Sequence, residues 1–317
     1  MAVLVIGGAG YIGGHVVTRL RERGDDVVVV DNLSSGLLSR IGDVPFFNID
    51  LSDPTSVAAL RDVIREHKVE SVIHFAGKKS VSESAEIPLY YFEQNIMGIL
   101  NLLKALHDSA VSRFVFSSSA AVYGDAMGFV VEDDPTNPTS PYGDTKLMGE
   151  TILNRVSATS ALKGASLRYF NVAGAVSVAL ADTSVANLVP MVFERIRSGK
   201  PPFIFGDDYD TPDGTCVRDY VHVVDLAEAH LAALDYLTTT TQTNSTFNIG
   251  TGRGYSVKEV IDVVRAISGF AAGPIVAARR AGDPAKIVAD VTRARDVLGW
   301  EARLGLTDMV SSAWAAL

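Results

Sequence analysis

Val3-Leu4-Val5-Ile6-Gly7-Gly8-Ala9-Gly10-Tyr11-Ile12-Gly13 decides the fold of this chain. An apolar run, a glycine-rich turn and a helix-like stretch over Ile12–Arg23 follow one another without a break. The glycines recur as Gly-x-x-Gly-x-x-Gly, and each has a physical task. Gly7 allows the tight turn, Gly10 lets backbone approach a pyrophosphate, and Gly13 lets helix and strand pack closely. N–H groups at the helix start, with its dipole behind them, suit phosphate. The next strand-like run, Val27–Val30, ends in Asp31. A carboxylate there accepts both ribose hydroxyls of NAD and repels the 2′-phosphate of NADP.

Beyond the turn, short β-branched or aromatic runs alternate with amphipathic stretches. Ala2–Ile6, Phe46–Ile49, Val72–Phe75, Phe114–Phe116 and Ser166–Tyr169 read as further strands, nearly continuous in apolarity as in a sheet covered on both faces. Pro54–Glu66 and Pro88–His107 read as helices between them. The expected fold class is α/β: a Rossmann-type doubly wound parallel sheet with a smaller C-terminal substrate-binding lobe. Residues 1–170 form the NAD-binding domain in this reading. Residues 171–317 form mainly the substrate lobe, with segments near 218–250 returning to the sheet. Phe92, Ile96, Ile99, Leu103 and Leu106 make one stripe at three-four spacing, fit either for the chain's own sheet or for a dimer face.

Of the 317 residues, 47% are apolar and 21% charged, the balance of a globular protein. A formal net charge of −9 argues against nucleic acid as partner. The single cysteine, Cys216, excludes an intrachain disulfide and a cysteine-rich metal site, and suits a reducing, cytoplasmic compartment. No metal is expected. The N-terminus does not read as a signal peptide, and no run approaches the ~18 apolar residues of a membrane span.

Pro141-Tyr142-Gly143-Asp144-Thr145-Lys146 begins another helix, with Tyr142 and Lys146 on one face. A free phenol is a poor base near neutral pH, with a pKa of ~10. A nearby ammonium favours the phenolate, so the pair supplies a general base that takes a hydroxyl proton as hydride leaves. Phe116-Ser117-Ser118-Ser119 ends a strand at the carboxyl edge, where a serine hydroxyl reaches the ligand crevice or caps the following turn. Tyr123 reads as a packing aromatic.

At these residues the sequence resembles the UDP-glucose 4-epimerases, a family of extended short-chain dehydrogenases/reductases. The likeness runs through Gly7–Gly13, Asp31-Asn32-Leu33, His74–Lys79, Phe116–Gly124, Ser140–Lys146, Arg168–Asn171, Phe205–Tyr209, Asp213–Tyr220, Arg279–Asp283 and Leu298-Gly299-Trp300. It implies Ser119, Tyr142 and Lys146 as catalytic residues. It implies NAD contacts at Gly7, Gly10, Tyr11, Ile12, Gly13, Asp31, Asn32, Asp50, Leu51, Phe75, Ala76, Lys79, Asn95, Tyr142, Lys146 and Phe170. A UDP-hexose is implied as substrate, held by Ser119, Tyr142, Asn171, Asn187, Leu188, Phe205, Arg218, Arg280 and Asp283. Ala175–Ala186 is shorter than the family's usual loop, and Ala186 replaces the first of two asparagines.

The implied activity is reversible C4 epimerisation of UDP-glucose and UDP-galactose through a 4-keto sugar with tightly held NAD, in a homodimer. Ile287 falls where the family gates room beside C2, so UDP-N-acetylhexosamines are expected to fit too. The alternatives are another NAD-dependent nucleotide-sugar epimerase or dehydratase, and a non-catalytic NAD sensor. A dehydratase needs an acid and base after Ser119, where this chain has Ala120 and Ala121. Keeping Ser119, Tyr142 and Lys146 together argues against a sensor.

Overall fold

The computed structural model describes residues 1–280 and 283–317; Ala281 and Gly282, inside the Arg-Arg-x-Gly-Asp segment, lie outside the described residues. The chain runs through strands β1 (Ala2–Ile6), β2 (Asp26–Asp31), β3 (Phe46–Asn48), β4 (Ser71–His74), β5 (Arg113–Ser119), β6 (Gly128–Val130), β7 (Lys163–Tyr169), β8 (Asn171–Ala173), β9 (Phe203–Phe205), β10 (Val217–His222), β11 (Asn244–Ile249), β12 (Gly254–Ser256), β13 (Ile275–Ala277) and β14 (Lys286–Ala289). Its helices are α1 (Tyr11–Arg23), α2 (Ser56–Glu66), α3 (Val81–Glu86), α4 (Pro88–Phe92), α5 (Gly98–Leu106), α6 (Pro141–Ser157), α7 (Leu188–Arg197), α8 (Val223–Thr239), α9 (Val257–Ser268) and α10 (Leu306–Ala315).

Seven strands form one parallel sheet in the order β11-β7-β5-β4-β1-β2-β3. Val3, Leu4, Val5 and Ile6 are wholly buried because the sheet is covered on both faces. Val3, Val5, Val16, Leu20, Leu226 and Leu234 pack on the α1 and α8 side, and Leu4, Leu60, Leu102, Phe114 and Leu153 on the α2, α5 and α6 side. Truncating any of these leucines to alanine costs about 2–5 kcal/mol. Late in the chain β11 joins the large sheet beside β7 and α8 packs on its face, while β10 pairs in the smaller sheet.

The smaller lobe is a mixed sheet in the order β12-β10-β14-β6, with β8 also on β10, and a separate β9–β13 pair. Helices α7, α9 and α10 close it with Val189, Phe193, Val260, Val264 and Met309. The expected helix over Pro88–His107 differs in one respect. A wide π turn at Glu93–Met97 separates α4 from α5. There Asn95 turns inward, which a uniform 3.6-residue period does not show.

Candidate active site

At the carboxyl edge of the large sheet, the turn after β1 faces the ends of β4, β5 and β7 across a cleft of about 370 Å3. Gly7 has φ +78°, and a Cβ there would lie 2.6 Å from Ala76 N. A Cβ on Gly13 would lie 2.3 Å from Gly7 O, so close helix–strand packing requires glycine. Gly10 differs: its added Cβ would approach only Gly7 O, at 3.2 Å, and the residue lines the cleft.

Asp31, at the end of β2, is buried. Its Oδ2 accepts from Ala9 N–H at 3.1 Å and its Oδ1 from Leu33 N–H at 2.8 Å. Each oxygen keeps a further lone pair for a diol. Burial raises this carboxyl above its ordinary range, while the two N–H groups pull it back. Asn32 Nδ2 donates to Asp50 Oδ2 at 3.1 Å, joining the loops after β2 and β3. Tyr11, Ile12, Leu51, Phe75, Ala76 and Lys79 line the same cleft. A glycine cradle, a carboxylate with free lone pairs and a cleft of this volume fit a dinucleotide. Asn95 stands behind this wall. Asn95 Oδ1 accepts from Lys78 N–H at 2.7 Å, and its Nδ2 donates to Thr145 Oγ1 at 2.9 Å. Phe170 packs with Val122, Tyr123 and Ile287.

Ser140 and Pro141 start α6: the Ser140 hydroxyl accepts from Gly143 N–H at 3.1 Å, and Pro141 occupies the first turn. Tyr142 and Lys146 therefore face the cleft one turn apart. Burial raises the Tyr142 phenol above its ordinary pKa, and the Ser119 hydroxyl beside it acts the other way. Burial lowers the Lys146 ammonium to about 8, with Glu150 opposing. The three serines divide their work. Ser117 accepts Lys146 Nζ through its carbonyl at 2.7 Å and its hydroxyl at 3.3 Å. Ser118 donates to Glu150. Ser119 Oγ accepts from Ala121 N–H at 3.1 Å, capping the next turn while facing Tyr142.

The smaller lobe gathers the other expected residues. Arg218 Nη2 donates to Asp283 Oδ1 at 3.2 Å, and the Arg280 guanidinium lies 3.9 Å from the Phe205 ring centre. Arg279 stacks 4.0 Å from the Tyr209 ring centre and binds Asp208, so two segments far apart in sequence meet. Asn171 pairs with Tyr220 across β8 and β10, and its side chain offsets part of the burial that pushes the Tyr220 phenol up to about 12. Asn187 precedes α7 and donates to Asp182 Oδ2 at 3.4 Å, with Leu188 opening the helix.

Two cleft residues, Arg40 and Tyr169, escape the sequence reading. Arg40 is buried and donates to Ala181 O at 2.8 Å, to Thr183 Oγ1 at 3.2 Å and to Ala9 O at 3.3 Å. No local pattern marks it. Tyr169 lines the cleft and bonds His230. Tyr123 is more than a packing aromatic: its buried hydroxyl donates to Asn248 Oδ1 at 2.7 Å and accepts from Arg168 at 2.9 Å.

A glycine turn, an acidic ribose site and a Tyr–Lys pair in one cleft define a nicotinamide-dependent enzyme of the short-chain type. Residues 3–250 match the model of the NAD dependent epimerase/dehydratase family, and the chain belongs to that family. It is 42% identical to a UDP-glucose 4-epimerase of Halalkalibacterium halodurans over 320 residues, covering 99% of this chain and 95% of that protein. A solved UDP-glucose 4-epimerase from Bifidobacterium longum, in complex with NAD+ and UDP, is 38% identical with a TM-score of 0.91, covering 100% and 98% of the two chains. The UDP-Glc/GlcNAc 4-epimerase of Campylobacter jejuni is 38% identical with a TM-score of 0.87, covering 99% and 98%.

Proposed function

We propose that this chain interconverts UDP-glucose and UDP-galactose at C4 with NAD as its resident cofactor. The observation that carries this is the meeting of Tyr142, Lys146, Ser117 and Ser118 with the glycine turn in one cleft, with Ser119 beside Tyr142. When bound, NAD would supply the acceptor and donor for the C4 hydride, with a 4-keto sugar between the two transfers. Tyr142 takes the 4-hydroxyl proton and gives it back, and Ser119 bonds the same oxygen. Lys146 supplies the positive charge that favours the phenolate. Gly7, Gly10, Tyr11, Ile12 and Gly13 hold the pyrophosphate side and Asp31 the ribose. Asn32, Asp50, Leu51, Phe75, Ala76 and Lys79 complete the wall, with Asn95 bracing it. Arg218 and Arg280 grip the diphosphate, since guanidinium offers directed donors. Asn171, Asn187, Leu188, Phe205 and Asp283 complete the substrate site. Firm hold on the diphosphate leaves the hexose free to present its other face.

On this reading residues 1–170, joined by α8 and β11, carry the cofactor, and residues 171–317 mainly carry the UDP-sugar. Ile287 is small enough at the C2 side to admit UDP-N-acetylhexosamines. The protein works as a homodimer through α4, α5 and α6, and the lone Cys216 suits the cytoplasm. Incubating purified protein with UDP-galactose and following UDP-glucose tests the activity: appearance of UDP-glucose supports it, and none refutes it.

A further inference from the structure

Tyr142, Lys146 and Glu150 stand four residues apart along α6 and share its inward side. Glu150 has no part in the chemistry above, yet it is only 7% exposed. A buried carboxylate is costly unless bonded, and Glu150 is fully engaged. Arg168 Nε donates to Oε1 at 3.0 Å and Nη2 to Oε2 at 2.8 Å, while Ser118 donates to Oε1. Arg168 is fixed in turn by the Tyr123 hydroxyl at 2.9 Å and Glu132 O at 3.0 Å. Lys146 bonds Ser117 instead, so Glu150 acts on it through space.

The surroundings of Lys146 hold few other charges. His74 from β4 is neutral, its imidazole held at about 3 by burial. Arg168 and Tyr169 come from β7, and Tyr142 from α6 itself. His230 of α8, behind Tyr169, is also neutral, held at about 4 by burial. Tyr123 bonds Arg168, and Glu83 of α3 is taken up by Tyr91 at 2.6 Å. The Glu132 carboxylate is taken up by Asn248 N–H at 2.9 Å and by Arg293 at 3.6 Å, which leaves Glu150, among the described residues, as the anion that acts on Lys146.

We propose that Glu150 and Arg168 form a tuning pair for Lys146: Glu150 holds the buried amine as an ammonium, and Arg168 limits how strongly it does so. The proposal rests on the reading that Lys146 supports Tyr142 as base. Both are positioning residues that reach the substrate only through Lys146.

Cyanate carbamylates neutral amines, so the rate at Lys146 against pH, followed by mass spectrometry, reports its protonation without any turnover. With each variant compared with wild type at every pH, Glu150→Gln should move the Lys146 midpoint down by about one unit. Arg168→Gln should move it up, because the freed carboxylate then has Lys146 as its nearest cation. The double Glu150→Gln/Arg168→Gln variant should fall between them. A packing defect gives no reason for opposite shifts. Shifts in one direction, or none, overturn the pair. If Glu150→Gln does not fold, a downward or absent shift in Arg168→Gln overturns it alone. The alkaline limb of turnover should follow the same order. Carbamylation midpoints that move as expected, with a limb that stays put, uphold the tuning pair and overturn the role of Lys146 in catalysis.

Discussion

Tyr142 reaches the cleft because Ser140 and Pro141 fix where α6 begins, a purely local signal. Its place in the sequence reading therefore carries over directly to the structure. Tyr142→Phe should keep NAD binding and lower turnover by roughly 10²–10⁴, the scale of a lost general base. A near-wild-type kcat would show that another group takes the proton. The serines are harder to read. Three identical hydroxyls end β5, and only contacts from α6 distinguish the one that holds Lys146 from the one beside Tyr142. Arg40 and Tyr169 are illegible for a related reason: their partners lie 141 and 61 residues away. Ile287 is a buried strand residue beside Val122 and Tyr123. If it sets the room at C2, Ile287→Tyr should selectively lower kcat/KM for UDP-N-acetylgalactosamine relative to UDP-galactose. Equal losses on both sugars would assign Ile287 to packing alone.

Among the elements, α4, α5 and α6 show how far periodicity reaches. The apolar stripe is real, but Ile99, Leu103 and Leu106 spend it on the chain's own sheet. The face left over is different: Leu89 is 76% exposed, and Tyr90 and Met148 are exposed with it. A helical wheel averages over the π turn and so merges the two faces. Exposed apolar groups on neighbouring helices favour a partner, and that remaining face is the proposed dimer contact. Light scattering at micromolar concentration should give a dimer for wild type and a monomer for Leu89→Asp. A monomeric wild type would remove the dimer from the account. The strands and the glycine turn were more legible because β-branched runs and Gly-x-x-Gly-x-x-Gly act within a few residues. The pairing of β10 with β14 and β12 joins distant segments and leaves no such trace.

For the molecule as a whole, buried histidines govern acid stability. Burial holds His15, His222 and His230 at about 4 and His74 at about 3, against an ordinary 6.5. The unfolded chain takes up these protons as pH falls below 6.5, while the folded chain refuses them, so stability falls with pH in that window. Asp219 opposes this: burial raises it to about 6, so the folded state gains its proton first. The net is about three protons, or at most about 4 kcal/mol per pH unit. Asp31, Glu132 and Asp225, also raised by burial, lessen the slope. The urea midpoint should be nearly level between about pH 7 and 8 and fall steadily from about pH 6.5 towards about pH 5. A level midpoint across that range would contradict the buried, neutral histidines.

The central claim is that one cleft removes hydride from C4 and returns it to the same carbon. UDP-galactose carrying deuterium at C4, incubated in ordinary water with freshly purified protein and no added cofactor, tests this most directly. The account predicts UDP-glucose with the deuterium still at C4. UDP-glucose with protium at C4 would mean exchange with solvent, and would contradict it.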